Sequence, residues 1–149
     1  MKKRLNYEKV APDAINGLLQ LEKYVRNSGL EKSLLELVKL RASQINGCAF
    51  CIDMHTKDAR KAGESEQRLY TLSAWRETSF YTDRERAALE LTEAMTLISN
   101  NGISDVQYEK VSKHFNEKEH VALTMAIIAI NSWNRLAIGF RKEPGTYTP

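Results

Sequence analysis

Residues 31–63 read EKSLLELVKLRASQINGCAFCIDMHTKDARKAG, and the architecture of the whole chain can be worked outward from them. From Glu31 to about Asn46 the apolar residues Leu34, Leu35, Leu37, Val38, Leu40, Ala42 and Ile45 recur three and four positions apart, the period of a helix face. Asn46-Gly47 marks a turn, and a further helix is predicted from Gly47 or Cys48 to Gly63. Upstream, Leu18, Leu19, Leu21, Tyr24 and Val25 form a stripe opened near Pro12 and Asp13 and closed by Ser28-Gly29, with Pro at the start and Gly at the stop. Downstream, Ser65 can cap a helix through Leu69, Leu72 and Trp75, while Thr82-Asp83-Arg84-Glu85 and Ser104-Asp105-Val106-Gln107 both fit a capping box, in which side chain and backbone satisfy each other's free amides. The first box opens a helix that should reach Asn100-Asn101-Gly102, the second one a helix through Val111 and Phe115. The most apolar segment runs from about Glu117 to Phe140, and residues 142–149 read as an irregular tail because of Pro144-Gly145 and Pro149.

No alternating β-branched run competes with these seven segments, so the class is all-α, a helical bundle of about six or seven helices. With 149 residues the chain has room for one domain, here a core of about 12–141 plus the tail. A composition 42% hydrophobic and 28% charged, with 7 Gly and 3 Pro, excludes a disordered or fibrous chain. The balance of 22 Lys and Arg against 19 Asp and Glu gives only +3, evenly spread, which is no footprint for nucleic acid. The segment 121–140 is interrupted by Asn131, Asn134 and Arg135 and reads as a buried helix, not a membrane span. The basic start Met1-Lys2-Lys3-Arg4 is followed by no apolar stretch of a secretory leader, so a cytoplasmic location is expected.

Cys48 and Cys51 are the two cysteines. A bridge between them would close a tiny loop and restrict the unfolded chain little, so the pair reads as chemical more than architectural. If a helix starts near Gly47, successive residues advance by about 100°, and Cys48, Cys51 and His55 share one face on successive turns. A thiol at a helix N-terminus meets unpaired amides and the positive end of the dipole, and a neighbouring imidazole can take or return its proton. Both effects favour the thiolate. Glu36 lies twelve residues before Cys48, where the Asn46-Gly47 turn permits its helix to fold back beside the thiols. A carboxylate there could orient His55 or move a proton with it.

The spacing Glu36, eleven residues, Cys48-x-x-Cys51, three residues, His55, and then Gly63 resembles the active-site motif of the alkylhydroperoxidase D family, within the carboxymuconolactone decarboxylase superfamily. Asn131-Ser132-Trp133-Asn134-Arg135 and Pro144-Gly145-Thr146-Tyr147 are similar to a single-domain branch of it, so the likeness spans about residues 12–147. The resemblance implies an all-helical fold, a homo-oligomer (trimer or hexamer), and a thiol-dependent peroxidase that reduces hydroperoxides without haem, flavin or other cofactor. It also implies that Cys48 and Cys51 form the redox pair, His55 the proton-transfer partner and Glu36 the acid/base or orienting carboxylate, with an external dithiol or lipoylated protein as reductant. One position departs: the best-known members carry a second His before the second cysteine, where this chain has Phe50, so the family proton relay is incomplete here.

Other readings compete for the same residues. Two helix cysteines can be inert small hydrophobes. A structural zinc site needs four ligands, and beyond Cys48, Cys51 and His55 only His114 and His120 remain among the histidines, both reading as polar-face residues, so no metal is expected. Glu36 could be a solvated helix residue; Trp133, Asn134 and Arg135 could anchor packing or a subunit contact instead of lining a thiol pocket. Lys57, Asp58, Arg60 and Lys61 read as the exposed face of their helix. At the level of function, a redox-sensing or ligand-binding oligomer would use the same cysteines without turnover, and a decarboxylase would leave the dithiol without a role.

Overall fold

Side-chain caps start several of the helices where the pattern places them. In the computed structural model, which describes residues 4–149, Thr82, Ser104 and Asn116 each accept from the backbone of the residue three positions on, while Glu85, Gln107 and Glu119 reach back. The helices are α1 (Tyr7–Val10), α2 (Pro12–Arg26), α3 (Lys32–Asn46), α4 (Ala49–Lys61), α5 (Glu66–Thr71) continued by a 3₁₀ segment Leu72–Glu77, α6 (Asp83–Thr96), α7 (Ile98–Asn101), α8 (Asp105–His114) and α9 (Glu117–Phe140). Among the described residues there is no strand, and the class is all-α. The basic start falls largely on residues 1–3, outside the described residues.

Three details differ from the pattern. A short α1 precedes Pro12, capped by the Asn6 side chain. The helix through Trp75 leaves α geometry at Ala74 (φ −118°, ψ 30°), as Trp75 turns inward and its indole N–H donates to Glu93 at 2.8 Å. The long helix after Thr82 breaks at Leu97, because the core ends there: Thr96 is buried, whereas Leu97 and Ile98 are 46% and 56% exposed.

Helix α3 lies in the middle, with no residue from Leu34 to Asn46 fully exposed. Leu34, Leu35, Leu37, Val38 and Leu40 are all buried, packing against α4, α6 and α9. One side of α3 joins Val25, Ala88, Leu91, Leu123 and Ile127; another joins Ala59, Leu72, Trp75 and Leu89. Glu93 on α6 ties these layers together, accepting from Arg41 of α3 at 2.8 Å, from Trp75 and from Arg76. Hydrogen bonds from three donors outweigh the desolvation that would raise its pKa, and the Glu93 carboxyl lies below its ordinary value.

Helix α9 is the one helix among the described residues long and apolar enough to cross a membrane by length and composition. Its inner face is core, and the buried Asn134 hydrogen-bonds there to α3.

Candidate active site

Gly47 builds the corner on which the site depends. It ends α3 at φ 68°, ψ 32°, a left-handed conformation that costs glycine little. The Cys48 N–H returns to the Ser43 carbonyl at 3.0 Å, so the chain reverses at once and α4 packs back along α3. Cys48 is the N-cap residue of α4, with extended backbone (φ −84°, ψ 92°), and Cys51 sits in the first turn.

A polar cluster braces this corner from α9. Asn46 Nδ2 donates to Asn131 Oδ1 at 3.0 Å and to Asn134 Oδ1 at 2.9 Å, and Asn134 Nδ2 donates to Ser43 Oγ at 3.0 Å. Asn131 in turn donates to Thr96 Oγ1 at 3.1 Å. Asn134 and Ser43 are fully buried, where an unmatched amide would be expensive, and among the described residues no buried side-chain nitrogen or oxygen lacks a partner.

The two sulfurs face each other and are paired as a disulfide, with Cα atoms 5.4 Å apart, within the span such a bond needs. Each cysteine is only 1% exposed. Ala42, Ile130 and Ala137 surround them, and Phe50 and Trp133 pack over the cluster. Thus Trp133 is part of the thiol surroundings, while Asn134 braces the corner. At the position that departs from the best-known family members, Phe50 presents an apolar ring with the Lys142 ammonium 4.6 Å from its centroid.

One turn after Cys51, His55 is buried on α4, and its Nδ1–H donates to Glu36 Oε2 of α3 at 2.8 Å. A carboxylate can only accept, so this bond leaves Nε2 as the ring nitrogen able to exchange a proton. The short corner at Gly47 brings Glu36 and His55 side by side although they are 19 residues apart.

Asp58 is not simply an exposed charge as its pattern predicted. One ligand atom from each of Glu36, His55 and Asp58 lies within 4.8 Å of the others, the one such metal-capable group found among the described residues. One nitrogen and two oxygen donors could hold a cation; here Glu36 engages His55, and Asp58 Oδ1 accepts from the Tyr147 hydroxyl at 2.7 Å. The hydrogen bond to Asp58, burial, and the charges of Asp58 and Glu36 push the Tyr147 hydroxyl up to about 12, against the opposing pull of Arg26. Sequence reasoning missed Asp58 and Tyr147. The three-residue step from His55 places Asp58 beside it on the helix, but nothing local announces Tyr147, 89 residues from its partner.

The pattern of the carboxymuconolactone decarboxylase family matches residues 11–94. YdfG of Bacillus subtilis, itself uncharacterised, is 49% identical over 138 residues, covering 93% of this chain and 94% of its own. The crystal structure of a protein of unknown function from Agrobacterium tumefaciens, suggested by its description to be an antioxidant-defence AhpD protein, superposes with a TM-score of 0.93 at 48% identity, covering 98% of this chain and 100% of that one. The alkyl hydroperoxide reductase AhpD of Bradyrhizobium diazoefficiens is 43% identical over 47 residues, 32% of this chain and 26% of its own. With most of its helical span matched by the family pattern and its nearly full-length structural relative of this type, the chain belongs to the carboxymuconolactone decarboxylase family, among its AhpD-like members.

Proposed function

We propose that the protein is a cofactor-free, thiol-dependent peroxidase in which Cys48 and Cys51 reduce a hydroperoxide and are restored by an external dithiol. The observation that carries it is the juxtaposition on α4 of a facing cysteine pair at the helix N-terminus and, one turn on, an imidazole oriented by Glu36. The helix N-terminus favours a thiolate, and the Glu36-bound imidazole supplies the proton acceptor and donor.

His55 Nε2 takes the thiol proton; the thiolate attacks the terminal peroxide oxygen, the O–O bond breaks, and the alkoxide leaves as an alcohol with the proton returned from His55. The sulfenic acid condenses with the second thiol, expelling water and forming the disulfide. A dithiol, free or carried on a lipoylated protein, gives back two electrons and two protons by exchange. Because Phe50 replaces an imidazole, His55 serves both proton transfers. Phe50 and Trp133 pack against the cysteine cluster, so peroxide reaches the sulfurs as these side chains move aside. A reducing cytoplasm suits a pair that must be reopened after every turnover. The chain, 1–149 with a core of about 12–141, works as one domain within a homo-oligomer.

Steady consumption of cumene hydroperoxide with dihydrolipoamide tests this. Wild-type protein should turn over many equivalents, and Cys48→Ser and Cys51→Ser should each abolish turnover. A single stoichiometric oxidation would instead mark a sensor, and turnover retained in both variants would exclude the dithiol mechanism.

A further inference from the structure

Residues 142–149 contain no helix, yet they are tied along α4. Gly145 N–H donates to Asp53 Oδ2 at 2.9 Å, Lys57 Nζ to the Tyr147 carbonyl at 3.1 Å, and Lys61 Nζ to the Pro149 carbonyl at 2.7 Å. Asp53, Lys57 and Lys61 are four residues apart and so form one ridge of α4. At about 100° per residue, Asp58 lies roughly 100° from Lys57 and only about 60° from His55 around the helix. The strap runs along the ridge, and the Tyr147 side chain reaches from it to Asp58, beside the His55 face.

The imidazole therefore has two carboxylates near it, and it bonds to one. Glu36 takes its Nδ1–H, while Asp58, with a carboxylate oxygen within 4.8 Å of a His55 ring nitrogen and of a Glu36 oxygen, is held by the phenol through Oδ1. A second carboxylate competing for the ring N–H would blur the orientation that a proton relay needs, because Asp58 shares a helix with His55 and would draw the ring along α4, whereas Glu36 holds it across the α3–α4 interface. We propose that Tyr147, carried on the C-terminal strap, is a positioning residue: by donating its hydroxyl to Asp58 it reserves His55 for Glu36. The hydroxyl stays protonated throughout the physiological range and remains a donor. Two lysines and a backbone N–H anchor the strap independently of the phenol, so removal of the hydroxyl alone releases Asp58 without releasing the tail.

This role rests on the function proposed above only for its kinetic consequence; its structural consequence is read separately. The oxidised protein has three histidines, so the ring ¹⁵N signals of His55 can be assigned with a His55→Asn variant. In Tyr147→Phe the Nδ1 signal of His55 should move, as Asp58 competes for the proton, and disulfide formation by cumene hydroperoxide in the reduced protein should slow about fivefold to tenfold. In Tyr147→Phe/Asp58→Asn, where the competing carboxylate is gone, the signal should return to its wild-type position and the rate to within about twofold. A Tyr147→Phe protein with an unchanged His55 signal, or a double variant that fails to restore it, overturns the proposal. If wild-type protein consumes no peroxide, peroxidase activity is excluded while the ring signals still decide the role of Tyr147.

Discussion

Glu36→Gln keeps the shape of the side chain while removing its charge, which makes it the sharpest probe of the relay. Glu36 accepts one hydrogen bond of 2.8 Å from His55 Nδ1, with the two side chains 19% and 6% exposed. As His55 takes a thiol proton the ring becomes cationic, so the carboxylate stabilises the charged state more than the neutral one. A charge-assisted hydrogen bond contributes about 1.5–3 kcal/mol. With little solvent to screen it, most of that is lost at the barrier, and at about 1.4 kcal/mol per tenfold the rate should fall about 10-fold to 100-fold. The glutamine can also turn its amide toward Nδ1 and enforce the tautomer with the proton on Nε2, adding to the loss. The assay is rapid mixing of reduced protein with cumene hydroperoxide, quenching and free-thiol titration, with unfolding temperature as the control for folding. A folded Glu36→Gln protein that oxidises within about twofold of wild type would show Glu36 to be an ordinary helix residue.

Asn134→Ala removes bonds to Ser43 and Asn46 from a fully buried site; at about 0.5–1.5 kcal/mol each, plus the void, we expect about 2–3 kcal/mol and a fall in unfolding temperature of about 5–10 °C by circular dichroism. Unchanged melting would show that the cluster does not brace the corner. Because the folded-state pKa of Glu93 is depressed, its contribution to stability is fully present above the unfolded value of about 4.5 and is lost as the pH falls through the folded value; Glu93→Gln should flatten that part of the denaturation-versus-pH curve, and an unaltered acid limb would assign the loss to other groups. Val121, Ile128 and Ile138 leave α9 between 41% and 56% exposed at these positions, an uncovered apolar surface on the most apolar helix that predicts self-association. Light scattering at micromolar concentration should give at least three times 17.0 kDa; the mass of one chain would refute this.

Much of the molecule is local and could be read along the chain. The periodicities of α3 and α4, the Gly47 corner and the boxes at Thr82 and Ser104 depend on contacts within a few residues, and the structure shows each. The grouping of Cys48, Cys51 and His55 follows from helical spacing, and Glu36 needs only one tight reversal to reach His55. Helix breaks were less legible: whether residues 97 and 98 continue α6 depends on whether any core remains there to bury them, and none does.

Nothing in the order of residues could reveal the partners that meet across 85 to 91 positions, namely Asn46 with Asn131 and Asn134, Ser43 with Asn134, and Asp58 with Tyr147. Polar side chains carry no period by which to find one another, and an aspartate in the run Lys57-Asp58-Ala59-Arg60 has the same local signature in water as beneath a tyrosine. Helical hydrophobicity set out the elements and put sulfur and imidazole on one face. Only the packing of α9 and the tail around α3 and α4 determined which polar groups lost their water, and therefore which had to find each other.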